Sequence, residues 1–255
     1  MTATPAGMTY ADYLKLDQLL TAQKPQSELH DEMLFIVIHQ TKELWMKEML
    51  HELRLAIGLV QGDRFAEAYK AMARISRIQA VMTLSWDVLS TLTPVDYLKF
   101  RNVLGTSSGF QSEQFREIEF RLGLKRPEFV NHYDPGSSQR LALESALSEP
   151  SLREASHNAL ERAGFDLGDR SVEAVARAWL EIYRDADRWF DLYELAEKLV
   201  DIDDALAAWR HKHVLTVERI IGNKQGTGGS AGAPYLRSTL ENRIFPELWA
   251  LRTDL

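Results

Sequence analysis

The chain has 255 residues, a net charge of −7 and no cysteine. The acidic balance argues against a nucleic-acid-binding protein, and the lack of cysteine excludes disulfides, thiolate-bound zinc, iron–sulfur clusters and thiolate-ligated haem. The 45% apolar fraction is that of a folded globular chain. Neither a signal peptide at Met1–Met8 nor an apolar run long enough for a membrane helix is recognised, so we expect a cytoplasmic protein without a membrane partner.

Apolar residues at helical spacing predict that most of the chain is helical. In chain order the predicted helices cover about 31–61, 64–92, 94–104, 112–122, 171–199, 203–221 and 234–242. Gly62 ends the first of them, and Thr93 with Pro94 forms the N-cap and first position of the third. Strand-like alternation is nearly absent. The sequence therefore predicts an all-α fold with helices long enough to form a bundle.

Two stretches interrupt the long helices. Between about 123 and 170, proline and glycine separate short helices, and we expect a small helical subdomain within a single domain that spans residues 1–255. The stretch 222–232 holds five glycines but matches neither a phosphate-binding loop nor a dinucleotide fingerprint. It is either a flexible linker or a lid over a site, and we expect it to become ordered when substrate binds.

Two histidines fall on apolar faces of predicted helices. His39 follows Phe35 by one turn, and His213 lies in the middle of its stripe, whereas His211 points to the other side. Each histidine is either a buried core residue or part of a site, and His213 is placed as the axial ligand of a haem would be. Lys42 also projects onto the first apolar stripe, and the pattern gives no reason for it.

A di-iron centre is an alternative use of the histidines. Glu48-x-x-His51 and Glu154-x-x-His157 both match the motif that helices of di-iron bundles supply. Glu48 and His51 lie opposite the apolar stripe and are expected to face solvent. Two short matches are also expected by chance in a glutamate-rich helical chain, so this alternative is the weaker one.

Tyr97 and Arg101 are separated by one helical turn. An arginine beside an aromatic residue can bind a carboxylate through two parallel hydrogen bonds. The alternative is a surface arginine in an ion pair. Spacing alone does not name a reaction.

Taken together and in order, several motifs resemble the signature of the tryptophan 2,3-dioxygenase family. The stretches that carry this resemblance are Tyr10–Asp17, His30–Trp45, Leu92–Arg101, Leu104–Ser112, Trp209–His213 and Gly226–Gly232. The resemblance covers nearly the whole chain and is weakest between about 125 and 170. Lys42 departs from it, because a small or aromatic residue is expected there.

The resemblance implies an all-α bundle with one non-covalent haem b, ferrous when active, held between long helices. It also implies a homotetramer built as a dimer of dimers. The implied reaction is cleavage of the indole C2–C3 bond of L-tryptophan with O₂ to give N-formyl-L-kynurenine, the first step of the kynurenine pathway. One alternative is a haem-dependent monooxygenase or dioxygenase of a tryptophan analogue such as a methylated tryptophan. Another is a haem-free helical oligomer in which His39 and His213 are core residues.

The resemblance also implies a role for individual residues. His213 matches the axial ligand of the haem iron, and His39 matches the catalytic histidine that hydrogen-bonds the indole N–H. Substrate-binding positions are Phe35, Tyr97, Phe100, Arg101, Ser108, Gly109 and Thr227. Cofactor-binding positions besides His213 are Trp86, Ser108 and Gly109. An N-terminal arm, residues 1–30, is implied to reach a neighbouring subunit's substrate site through Tyr10, Tyr13 and Leu14.

Overall fold

The computed structural model describes residues 7–255, so the first six residues of the predicted N-terminal arm lie outside the described residues. The described part of the chain contains helices and connecting turns without a strand, which confirms the predicted all-α class. The α-helices are α1 (Tyr10–Leu14), α2 (Leu16–Leu19), α3 (His30–Gln61), α4 (Phe65–Leu89), α5 (Pro94–Phe100), α6 (Glu113–Leu122), α7 (Ser138–Ser148), α8 (Leu152–Arg162), α9 (Val172–Arg184), α10 (Phe190–Ile221), α11 (Ala233–Ser238) and α12 (Pro246–Ala250). Short 3₁₀ helices cover Arg101–Leu104, Gly109–Gln111, Pro127–His132 and Leu251–Thr253.

Three long helices form the centre of the fold. Helix α4 packs against both α3 and α10, and α6 and α8 cover the other side of α3. Met49, Leu53 and Val60 are buried on the stripe of α3 that the apolar spacing predicts. At 32 residues each, α3 and α10 are about 48 Å long.

The boundary between α9 and α10 differs from the prediction. The chain breaks at Asp185, whose φ of −134° and ψ of 56° are not helical, and α10 then runs without interruption to Ile221. The helix start expected at Asp203 is wrong, because Asp203 is buried inside α10. Its carboxylate accepts hydrogen bonds from the Trp249 indole at 2.9 Å and from the backbone N–H of Ile244 at 3.1 Å. An acidic residue that resembles a helix cap in sequence therefore holds the C-terminal segment.

The stretch 123–170 contributes to two separate apolar clusters. A small cluster is formed by Phe120, Phe129, Val130, Leu143 and Ala146. Helix α8 instead joins the main core and packs on α3. A helical subdomain at 123–170 stays a prediction.

His157 on α8 takes part in a buried ion-pair network. Its Nε2 lies 3.1 Å from Glu247 Oε1, and Arg153 donates to the same carboxylate at 2.7 and 3.1 Å. Burial opposes ionisation of Glu247, but these hydrogen bonds outweigh it and lower the pKa of the carboxyl group. The network fixes α12 against α8.

Within residues 7–255 no three His, Asp or Glu side chains come together as a metal site, and no helix is long and apolar enough to span a membrane.

Candidate active site

A cavity of about 720 Å³ opens at one end of the bundle, where α3, α4 and α10 meet the loops after α5 and after α10. Its volume lies within the range of roughly 300–1,000 Å³ that small-molecule and cofactor sites occupy. The lining residues that the sequence singled out are Phe35, His39, Lys42, Trp86, Tyr97, Ser108, Gly109, His213 and Thr227. The fold thus brings together side chains from five separate motifs.

His213 lies on α10 at the inner wall of this cavity. Its ring stacks on Trp86 of α4, with centroids 4.4 Å apart and planes 9° apart, and Trp209 lies 5.2 Å away. Burial is the main reason that the pKa of His213 is lowered to about 3, and the nearby Lys42 adds to this. The imidazole is therefore neutral at pH 7, which is the form that binds a metal ion.

His39 lies on α3 at the same cavity. Its Nδ1 is 2.7 Å from the carbonyl oxygen of Phe35, one turn earlier. Because a carbonyl only accepts, Nδ1 carries the proton, and Nε2 is left as a hydrogen-bond acceptor. Burial lowers the pKa of His39 to about 4, so the ring is neutral at pH 7. The helix thus presents one uncharged acceptor to the cavity.

The aromatic wall beside His39 is built in two layers. The Phe35 ring lies 4.2 Å from the His39 ring and lines the cavity together with Tyr97. Phe100 is fully buried and touches Phe35 edge-on at 5.8 Å. Phe100 is not among the lining residues, so it supports the wall from behind. Burial raises the pKa of the Tyr97 hydroxyl, and the positive charge of Arg101 makes this increase smaller.

Arg101 lies at an outer cleft of about 480 Å³ that shares Gly226 and Thr227 with the main cavity. Its guanidinium donates a hydrogen bond to the carbonyl of Gln225 in the glycine-rich loop. The hydroxyl of Thr227 donates to the carbonyl of Ser107. These two bonds hold the glycine-rich loop against the loop after α5, and they place a cation and a hydroxyl at the cavity entrance.

Ser108 and Gly109 lie where the two loops meet. Ser108 caps the 3₁₀ helix Gly109–Gln111, and its hydroxyl accepts from the backbone N–H of Phe110 at 3.3 Å. A Cβ atom placed on Gly228 would lie only 2.6 Å from Ser108 Cβ. Only glycine allows this close approach of the glycine-rich loop.

The three residues of the predicted arm lie apart from the cavity of their own chain. Tyr10 and Tyr13 on α1 are 75% and 74% exposed, and Leu14 is also exposed. Helix α1 has no buried residue. Their predicted contact with a neighbouring subunit stays a prediction.

The sequence did not reveal a buried ion network in the cavity wall. Glu119 on α6 accepts from Arg116 and from Arg210 of α10, each at 2.8 Å, and Arg210 also donates to the carbonyl of Asn242. The available signal was the position of Arg210 inside the Trp209–His213 motif. Tyr235 was also missed; its hydroxyl is buried at the cavity without a hydrogen-bond partner in residues 7–255.

Comparisons with known proteins show the family to which the chain belongs. The family model described as tryptophan 2,3-dioxygenase matches residues 1–171 and 152–255. The chain is 58% identical to the tryptophan 2,3-dioxygenase of Caulobacter vibrioides, over 97% of this chain and 98% of that protein. It is 49% identical to the tryptophan 2,3-dioxygenases of Bacillus thuringiensis subsp. konkukian and Shewanella woodyi, over 97% of this chain and 93% and 91% of those proteins. The chain belongs to the tryptophan 2,3-dioxygenase family.

Proposed function

We propose that this chain uses a haem on His213 to cleave the indole C2–C3 bond of L-tryptophan with O₂, giving N-formyl-L-kynurenine. The observation that carries the proposal is a cavity lined by two neutral imidazoles, with the cation of Arg101 at the cleft that adjoins it. His213 stands at the inner wall, His39 beside the aromatic wall, and Arg101 at the entrance. Family membership indicates the reaction, and this arrangement supports the roles that we propose for these residues.

The residues present fit a haem. The neutral ring of His213 is half-buried and stacks on Trp86, which holds its orientation before any ligand binds. The indole N–H groups of Trp86 and Trp209 and the hydroxyl of Tyr235 are buried at this cavity without hydrogen-bond partners in residues 7–255. Such groups are costly unless a ligand satisfies them. Apolar Met46, Met82 and Leu89 complete the wall around them.

When bound, a ferrous haem on His213 supplies the activation of O₂ that indole oxygenation needs. The aromatic wall of Phe35 and Tyr97 holds the flat indole ring and excludes water. His39 Nε2 accepts the indole N–H, which orients the C2–C3 bond without requiring that the proton be removed. Arg101 pairs with the substrate carboxylate, and Thr227 binds the amino-acid end through its hydroxyl and closes the loop over the site.

The proposed reaction can be tested by an optical assay on the purified chain. The protein is reduced without oxygen, its Soret band is recorded, and L-tryptophan and air are added while the absorbance of N-formylkynurenine is followed. We expect a haem spectrum and product that carries two oxygen atoms from ¹⁸O₂. A product with one labelled atom would instead indicate a monooxygenase. Colourless protein after expression with a haem supply would contradict the assignment of His213.

Replacement of His39 by alanine is expected to weaken turnover without abolishing it. The variant loses one neutral hydrogen bond to the indole, which is worth about 0.5–1.5 kcal/mol, so kcat/KM for L-tryptophan should fall about two- to tenfold. The matched control is 1-methyl-L-tryptophan, which has no indole N–H and should not lose activity in the variant. Complete loss of turnover of L-tryptophan would show that His39 is an obligatory base.

Replacement of Gly228 by alanine is expected to disturb the glycine-rich loop. The added methyl group collides with Ser108 Cβ, and a cost of about 1 kcal/mol or more would raise the KM for L-tryptophan roughly fivefold. The Ser108→Gly change in the same chain removes the collision and should recover part of the loss, measured as the interaction term of a double-mutant cycle. Gly58→Ala, with nothing within 4 Å of the added Cβ, is the control. Additive effects of the two changes would refute the contact.

We also propose that the chain forms a homotetramer in which the arm of one subunit lies at the site of another. The exposed aromatic side chains of Tyr10 and Tyr13 on α1 support this, because they pack on little of their own chain. Exposed apolar residues on the outer faces of α3 and α4, among them Leu55, Val81, Leu84 and Val88, offer further contact surface. Light scattering after size-exclusion chromatography measures the mass, and a monomer at micromolar concentration would contradict the proposal.

A further inference from the structure

Lys42 is a buried basic residue whose role the proposed reaction leaves unexplained. It lies on α3 one turn after His39, is only 5% exposed, and lines the cavity. Its Nζ lies 2.8 Å from the centroid of the Trp86 ring. Within residues 7–255 this amino group has no hydrogen-bond partner.

The other buried charged side chains of the cavity wall have partners. Glu32 accepts from the backbone N–H groups of Gln26 and Ser27 at 2.7 and 2.8 Å. Arg116 and Arg210 both donate to Glu119, each at 2.8 Å. Lys42 therefore differs from its neighbours, and a buried charge without a partner is strongly unfavourable.

The groups around Lys42 are themselves hydrogen-bond donors. Trp86 and Trp209, whose rings lie 5.5 Å apart, each bury an indole N–H that has no acceptor in the described part of the chain. We call Lys42, Trp86 and Trp209 the donor cluster. The aromatic ring offers Lys42 a cation–π contact, but burial still lowers the pKa of Lys42 to about 6. What the donor cluster lacks is an acceptor, and an anionic oxygen would best supply it.

We propose that Lys42 binds a carboxylate of the group that occupies this cavity, and that this carboxylate is a propionate of the haem. This inference rests on the proposed function, because it requires a haem on His213. Two molecules could bring a carboxylate here, the cofactor and the substrate. Trp86 joins Lys42 to His213, since it contacts one and stacks on the other. The proposed function assigns the substrate carboxylate to Arg101, which lines the outer cleft, so the position of Lys42 favours the cofactor.

The test compares haem with its dimethyl ester, in which both propionates are uncharged. Haem-free protein is loaded with each, and the affinity is measured from the Soret band and from transfer to apomyoglobin. The variant is Lys42→Met, which keeps an unbranched chain of similar length, and the control is Lys47→Met, which removes an exposed charge from the same helix. We expect Lys42→Met to weaken haem binding about tenfold or more and to leave the ester unchanged, because only haem offers Lys42 a charged acceptor. Lys47→Met should match the unaltered chain.

A second measurement separates binding from packing. Lys42→Met removes a buried amino group that has no hydrogen-bond partner in residues 7–255, so we expect the haem-free variant to melt at a higher temperature than the unaltered chain even though it holds haem less tightly. Equal weakening toward haem and ester would indicate packing and would overturn the proposal. Unchanged haem affinity with weaker L-tryptophan binding would assign Lys42 to the substrate carboxylate and would also overturn it. If the unaltered chain binds neither porphyrin, the proposed function itself fails, which is a distinguishable result.

Discussion

Replacement of His213 by alanine should abolish stable haem binding. The ring of His213 is the neutral nitrogen donor at the inner wall of the cavity, and stacking on Trp86 fixes its plane. Loss even of residues that support a metal ligand costs roughly 10–100-fold in metal affinity, so loss of the ligand itself should cost at least about 100-fold. The measurement is the Soret absorbance retained after purification and gel filtration.

His211 provides a matched control for this prediction. It lies two residues away on the same helix, but it is exposed, and its Nδ1 lies 2.9 Å from the carbonyl of Ala207. His211→Ala should therefore bind haem as the unaltered chain does. His213→Gly with added free imidazole distinguishes a lost ligand from a misfolded chain, because imidazole can occupy the space and restore the spectrum. A full Soret band in His213→Ala without imidazole would refute the assignment.

The separate parts of this site could be predicted from the sequence because helical periodicity is local. His39 and His213 were each expected on an apolar stripe, and Lys42 was recognised as out of place there. The sequence could not show that Lys42 meets Trp86, because the two residues belong to different helices and their contact depends on how α3 packs against α4. The same limit applies to Phe100, which the resemblance placed at the substrate and the structure places behind Phe35.

The error at Asp203 has a similar cause. The sequence analysis predicted a helix over about 203–221, and an acidic residue is common in the first turn of a helix. The partners that keep Asp203 inside α10 are the backbone at Ile244 and the indole of Trp249, which are distant in sequence. A local sequence pattern cannot show that an acidic side chain accepts hydrogen bonds from donors distant in sequence. The true break at Asp185 carries neither glycine nor proline, so it gave no signal.

Replacement of Arg101 by alanine should raise the KM for L-tryptophan at least about tenfold. A hydrogen bond to a charged group is worth roughly 1.5–3 kcal/mol, and the carboxylate of the substrate would lose its cationic partner. The neighbouring Lys99→Ala, which removes an exposed ion pair with Asp96 on the same short helix, is the control and should change KM little. Steady-state kinetics with L-tryptophan measure the effect.

Arg101 also donates to the carbonyl of Gln225, so its loss could act through the glycine-rich loop alone. Tryptamine, which lacks the carboxylate, separates the two effects. A site built for an ionic group rejects a substrate that leaves the group unpaired, so the unaltered chain should strongly prefer L-tryptophan. In Arg101→Ala that preference should fall about tenfold or more, because the arginine no longer distinguishes the two molecules. Equal losses for both substrates would show that Arg101 only anchors the loop. Arg101→Lys keeps the charge without the planar fork, so its preference for L-tryptophan over tryptamine should lie between that of the unaltered chain and that of Arg101→Ala.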